Sequence, residues 1–295
     1  MIGVLDRVAT RTAAARLGTA RPMSSVNNDP PVQVDFLEAG SSGPVVMLVH
    51  SSVSGVRQWR RLTDDLKDQF RGRAVNLFGY GKTPPWPNET RQSLDDQARL
   101  VEAALPADAD EVYLVSHSFG GSVAMKAAAR PKDRVSKLVL LETNPFYLLA
   151  QSGRTRAFAE AMEMRNCIKT FGALGQWENA AEKFADYWGG AGSWADMPPE
   201  RRETFAQALK PNFLEWDAVT DETTSLAEWA RLLPRKTLVV SDPNTVVPIR
   251  EIAALLRGSC PWWTFSEVAG GHMAPLTRPD VINPIVTSFL RSPAD

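Results

Sequence analysis

Short apolar runs alternate along this chain with longer stretches of helical period. Val45-Val46-Met47-Leu48-Val49, introduced by Pro44, is one such run; Val112-Tyr113-Leu114-Val115, Val135 to Leu141 and Thr237-Leu238-Val239-Val240 are others. Mainly apolar character over so few residues, continuous in Val45 to Val49, predicts strands covered on both faces, as in a parallel sheet. Val32 to Leu37 alternates apolar and polar residues and reads as an early, half-exposed strand. Ala74 to Leu77, ended by Gly79-Tyr80-Gly81, and Trp262 to Val268 complete the strand pattern. Helices are expected from Trp59 to Phe70, from a Ser93 cap to Leu105, after Ser118 up to Arg130-Pro131, from Pro248 to Leu256, and from about Asp280 to Leu290. Strands and helices in alternation predict an α/β architecture, a mainly parallel sheet with helices on both faces.

The alternation stops between about Thr143 and Leu232, where no strand-like run occurs. Helical stretches at 154–170, 179–188, 199–209 and 225–233 are separated by breaks such as Gly189-Gly190-Ala191-Gly192. This predicts a helical cap at 144–232 inserted into a core made of 29–143 and 233–295. Trp177, Trp188, Trp194, Trp216 and Trp229 all fall in the insertion. Such density suits a lid with an apolar underside, and equally the packing of a helical subdomain.

Charge narrows the partners. The 33 Lys and Arg nearly balance the 34 Asp and Glu, so no basic stripe points to nucleic acid. No apolar run approaches the roughly 20 residues needed to span a bilayer. Cys167 and Cys260 fit no metal spacing and read as free thiols in a reducing compartment. Residues 1–28 form an Arg-rich start (Arg7, Arg11, Arg16, Arg21) without an apolar stretch, which reads as a flexible segment; a transit segment and a later start at Met23 both stay open. A cytoplasmic protein, monomeric or homodimeric, is expected.

The chemistry centres on Ser118. The run Val112 to Val115 leads straight into Ser116-His117-Ser118-Phe119-Gly120-Gly121 and then an Ala-rich helix. A serine at a sharp strand-to-helix turn has its hydroxyl raised above the sheet edge, and the residues two before and two after it must be small. They are Ser116 and Gly120. Of the three histidines, His117 adjoins the nucleophile and points away from it, and His50 ends a strand and reads as structural. His272, in the Gly-flanked loop after the last strand, is the candidate base. The position expected for its acid partner holds Asn244, which cannot carry charge. Glu142, ending the run Val135 to Leu141, is chosen over the alternative acid Asp242. The amides of Phe119 and Ser52 are expected to form an oxyanion hole, with Ser51 as the fallback. Ser51, Phe146, Trp188, Trp216 and Met273 are the candidate pocket residues, and the aromatic ones suggest an apolar acyl or aryl group.

With His50-Ser51-Ser52 and Trp59, Gly79-Tyr80-Gly81, the Ser118 turn and Gly270-Gly271-His272-Met273 in place, the chain resembles the α/β-hydrolase superfamily over about Pro31 to Leu290. The resemblance implies an eight-stranded sheet, a helical cap and an acid after the sixth strand, in keeping with Glu142. Ser116 for Gly and Asn244 for Asp are departures. A serine nucleophile implies cleavage of a small-molecule ester through an acyl-enzyme, with no metal or organic cofactor. Lactone cleavage, C–C bond hydrolysis or acyl transfer by the same triad is the alternative reaction. A ligand-binding protein without turnover is the alternative of another class.

Overall fold

The computed structural model describes residues 16–19, 32–87, 90–130 and 134–293. Eight strands form one sheet: β1 (Arg16–Thr19), β2 (Asp35–Ala39), β3 (Val45–Val49), β4 (Arg71–Val75), β5 (Val112–His117), β6 (Val135–Leu141), β7 (Thr237–Ser241) and β8 (Thr264–Glu267), in the order 1-2-4-3-5-6-7-8. β1 and β2 run antiparallel to their neighbours; every pairing from β4 to β8 is parallel.

The period of two in β3 assigns its side chains to two layers. Val45, Met47 and Val49 pack with the helices α2 (Leu94–Ala103) and α3 (Phe119–Ala128). Val46 and Leu48 pack on the opposite face with α1 (Arg60–Leu66) and the C-terminal helix, whose Ile282, Val286 and Leu290 are buried. Both faces of β3 are therefore covered, which is why its sequence is apolar throughout.

Between β6 and β7 the chain makes six helices: α4 (Tyr147–Gln151), α5 (Thr155–Ala173), α6 (Trp177–Gly189), α7 (Pro199–Ala208), α8 (Asn212–Thr220) and α9 (Leu226–Leu232). The core resumes with α10 (Val247–Ser259), α11 (Ala274–Thr277) and α12 (Pro279–Arg291). Because β3 and β5 to β8 are parallel, their carboxyl ends share one edge of the sheet, and the loops carrying Ser52, Ser118, Glu142, Asp242 and His272 all leave from it.

Several expectations shift. Part of the segment expected to be flexible, Arg16–Thr19, is strand β1 against β2; Arg7, Arg11, Arg21 and Met23 lie outside the described residues, as does Pro131. β4 lies at Arg71–Val75 instead of Ala74–Leu77. Its arginines disguised it: the Arg73 guanidinium sits 4.3 Å from the Phe36 ring and donates to Ala104 O at 2.6 Å and Glu38 Oε1 at 2.7 Å. Long side chains of this kind keep their charge satisfied while their stems join the core. Helices α4 and α8 were not legible in the hydrophobic pattern. Among the described residues, no helix is long and apolar enough to cross a membrane.

Candidate active site

Ser118 alone separates β5 from α3, with φ 53° and ψ −121°. A non-glycine residue in that region is strained by about 1–3 kcal/mol and persists only where its surroundings enforce it. Here they do. The Ser118 N–H donates to Leu141 O at 3.0 Å, and Ser118 O accepts from Gly121 N–H at 2.8 Å. A Cβ on Gly120 would come within 2.4 Å of the carbonyl oxygens of Val49 and His50, so only glycine lets the turn close. Ser116 is fully buried, and its hydroxyl donates to Val139 O at 2.8 Å, so this polar departure from glycine has a partner on the next strand.

The His272 ring reaches Ser118. Nδ1–H donates to Glu142 Oε2 at 3.3 Å, which leaves Nε2 to accept from the Ser118 hydroxyl at 2.9 Å. All three residues are buried. Glu142 stands at φ 47°, its N–H donating to Val240 O at 2.9 Å. Its carboxylate also accepts from the Asp242 N–H at 2.6 Å and from Thr245 Oγ1 at 2.8 Å.

Asp242 has a different set of partners. It accepts from the N–H groups of Asn244 at 2.6 Å and of Gly270 and Gly271 at 2.7 Å each. Burial works against its charge, but these backbone donors outweigh it and hold the carboxyl below the usual carboxylate range. Asp242 thus braces the loop that carries His272, and Glu142 touches the imidazole itself. Asn244 lines the open cleft.

The other histidines are held neutral. His50 donates from Nδ1 to Ser51 O at 2.7 Å and accepts at Nε2 from Leu77 N–H at 3.1 Å; burial lowers its pKa to about 4. His117 accepts at Nδ1 from Gln58 Nε2 at 3.1 Å and donates from Nε2 to His272 O at 2.9 Å. Burial, then the neighbouring His272, push its pKa well below normal. His117 therefore anchors the main chain of the candidate base, a role its sequence position did not reveal.

In the loop after β3, the Ser51 N–H donates to Gln58 Oε1 at 3.0 Å. Ser52 Oγ donates to Glu215 Oε2, and the Val53 N–H donates to Tyr80 Oη at 3.0 Å. Gln58, Tyr80 and Glu215 were not among the residues expected here. Glu215 stands between Asn212 and Asp217 in the sequence, and nothing in that stretch set it apart.

Ser52 and Ser118 border two spaces. One is an open cleft of about 1150 Å³, which Ser51, Trp188 and Met273 also line. The other is a chamber of about 20 Å³ behind Ser118, walled by Phe119, Trp188, Asn212, Glu215 and Trp216 among others. The Trp188 ring lies 4.1 Å from that of His272. Phe146 lines neither space: fully buried, it stacks against Trp188 at 6.4 Å and Trp216 at 5.7 Å and supports the wall from behind. It was expected in the pocket as an apolar residue close to the site in sequence.

A parallel sheet with a serine on a strained strand-to-helix turn, an imidazole and a carboxylate at its carboxyl edge is the architecture of α/β-hydrolases. The chain belongs to that family: the model of the alpha/beta hydrolase fold matches residues 44–279. Lipase LipV of Mycobacterium tuberculosis is 34% identical over 165 residues, which cover 54% of this chain and 55% of the lipase, so the chain spans about half of that relative's length. A 2-hydroxymuconate semialdehyde hydrolase from a Pseudomonas species is 26% identical over 277 residues, 84% of this chain and 93% of that enzyme. Among solved structures, a hydrolase from Pseudomonas aeruginosa superposes with a TM-score of 0.73 at 19% identity, covering 94% of this chain and 98% of the other.

Proposed function

We propose that the protein is a serine hydrolase that cleaves carboxylic esters of small to medium apolar substrates through an acyl-enzyme. The observation that carries this reading is the 2.9 Å contact between Ser118 Oγ and His272 Nε2 at the strained turn. His272 takes the hydroxyl proton as Ser118 Oγ bonds to the ester carbonyl carbon. Glu142 holds the tautomer and stabilises the imidazolium, and the Trp188 face beside the ring favours the same charge. His272 then returns the proton to the leaving alkoxide. A water molecule, deprotonated by the same ring, attacks the acyl carbon; the bond to Ser118 Oγ breaks, the ring returns the proton to that oxygen, and the acid leaves.

The oxyanion hole is assigned to the amides of Ser52 and Phe119. Ser51 drops out because its N–H is already engaged by Gln58. Phe119, first in α3, has no carbonyl one turn back to serve, so its N–H is free for the oxyanion. The helices of 144–232 act as a cap: Trp188 and Phe205 wall the cleft, which has room for both the acyl and the leaving group, while the chamber behind Ser118 has room for about one water molecule. The name of the lipase relative agrees with ester cleavage; the name of the Pseudomonas relative favours, as a second reading, a non-ester substrate for the same triad.

Nitrophenyl esters of graded acyl length test the proposal, with Ser118→Ala as control. Turnover by the native protein and its loss in Ser118→Ala is the expected result. Turnover that survives Ser118→Ala, or none with any acyl length, contradicts it. An added alcohol acceptor separates hydrolysis from acyl transfer.

A further inference from the structure

Glu215, on α8, is 1% exposed and has no part in the chemistry described above. A buried carboxylate is tolerated only where donors replace its water. This one accepts from Ser52 Oγ, from Asn212 Nδ2 at 2.9 Å and from Tyr80 Oη at 2.8 Å. Two of these donors belong to the core, not to the inserted helices. Tyr80 Oη in turn accepts the Val53 N–H at 3.0 Å.

The loop needs such anchors. Val53 stands at φ 68°, a region that a β-branched residue occupies only under constraint. Its neighbour Ser52 supplies the amide assigned to the oxyanion hole. Both consecutive residues are therefore tied to one carboxylate, Ser52 directly and Val53 through a single tyrosine hydroxyl. Asn212, one turn before Glu215, also donates to Ser52 Oγ at 3.1 Å, and its own Oδ1 accepts from Trp216 Nε1 at 2.9 Å.

We propose that Glu215 is a positioning residue for the reaction: reaching down from the cap, it clamps Ser52 and Tyr80 and so fixes the oxyanion loop in its strained, competent shape. The inference rests on the acyl-enzyme reading. It makes the hole depend on the seating of α8, so that a displaced cap would leave a nucleophile and base in place with a poorly formed hole. Burial, offset in part by its three donors, raises the Glu215 pKa, and burial together with Glu215 raises that of Tyr80, so the phenol keeps the proton it donates.

Ser52→Ala gives the cleanest test. It removes a hydroxyl and leaves the backbone amide, so a hole that needs only the amide is indifferent to it. The measurements are kcat/KM on a nitrophenyl ester and the inhibition constant of the matching ether, which fills the site but has no carbonyl for the hole to hold. They are made on Ser52→Ala, Glu215→Gln and the double variant, with melting curves to establish folding.

We expect each single variant to lose about tenfold or more in kcat/KM, short of the roughly 10²–10³-fold that removal of a hole donor itself costs. The double variant should fall little below the poorer single one, because both substitutions cut the same bond. The ether should bind as it does to the native protein. Native kcat/KM in Ser52→Ala, fully multiplicative losses, or parallel loss of ether binding overturns the clamp. Should Glu215→Gln fail to fold, Ser52→Ala and Tyr80→Phe decide the question alone. An active native protein with unaffected variants defeats the clamp only; a native protein that turns over no ester removes the acyl-enzyme reading beneath it.

Discussion

The two sides of Ser118 are built from different materials. On the base side, each brace comes from the sheet. Glu142 follows β6, Asp242 follows β7, His272 follows β8, and His117, the last residue of β5, donates to the His272 carbonyl. Glu142 links the Asp242 amide to the imidazole, and Asp242 gathers the amides of Gly270 and Gly271. On the oxyanion side, one strand end supplies Ser51, Ser52 and Val53, and the outer anchors are the Tyr80 turn and Glu215 on α8. The candidate base therefore inherits its position from the strand ladder, whereas the loop across from it borrows rigidity from the inserted helices. Substitutions on the first side should disturb proton transfer; those on the second should disturb the shape offered to the transition state.

The sharpest way to break this contrast is to exchange the two carboxylates' roles. Glu142→Gln should lower kcat on the order of 10⁴-fold, the scale seen when the orienting acid of a triad is neutralised. Asp242→Asn keeps the imidazole partner but loosens the loop, and should cost about 10–100-fold. Steady-state kinetics of the two variants decide: equal or reversed losses would give Asp242 the role assigned here to Glu142.

A second expectation concerns stability on the oxyanion side. Burial lowers the His50 pKa in the folded protein to about 4, from an ordinary 6.5. Between those pH values the unfolded chain holds a proton that the folded chain refuses, so stability falls as pH drops through 6.5 toward 4 and levels off below. The shift corresponds to about 3 kcal/mol. Urea unfolding at pH 7 and pH 4.5 should show His50→Gln losing less between the two than the native chain does; an unchanged difference would contradict the neutral, buried state.

The smallest effect is expected at His117. His117→Phe removes the donor to the His272 carbonyl, a hydrogen bond of about 1 kcal/mol net, so kcat should fall about fivefold with little change in KM. A KM effect without a kcat effect would place His117 in substrate binding instead.

The sequence disclosed one of these sides far better than the other. Val45 to Val49 and Val112 to Val115 are apolar because both their faces are covered, and the small residues around Ser118 are required by contacts as close as that of Gly120 with the Val49 carbonyl. Such constraints are local and leave a mark in the residues themselves. β4 escaped because Arg71 and Arg73 hide their stems in packed surroundings, and β1 because four residues in an Arg-rich stretch have no period to read. Glu215 escaped for a related reason. Its helix, Asn212–Thr220, buries residues on every side, Asn212, Glu215 and Asp217 among them, so no polar face separates from an apolar one. The partners that make a buried carboxylate tolerable lie 135 and 163 residues away in sequence, at Tyr80 and Ser52.

The central claim is that Ser118 is a nucleophile activated by His272, and a fluorophosphonate probe tests it without any choice of substrate. Peptide mapping after labelling should find a single adduct, on the peptide containing Ser118, and labelling of His272→Ala should be slower by orders of magnitude. An adduct on another serine, or a folded protein that reacts equally fast with and without the imidazole, would contradict it.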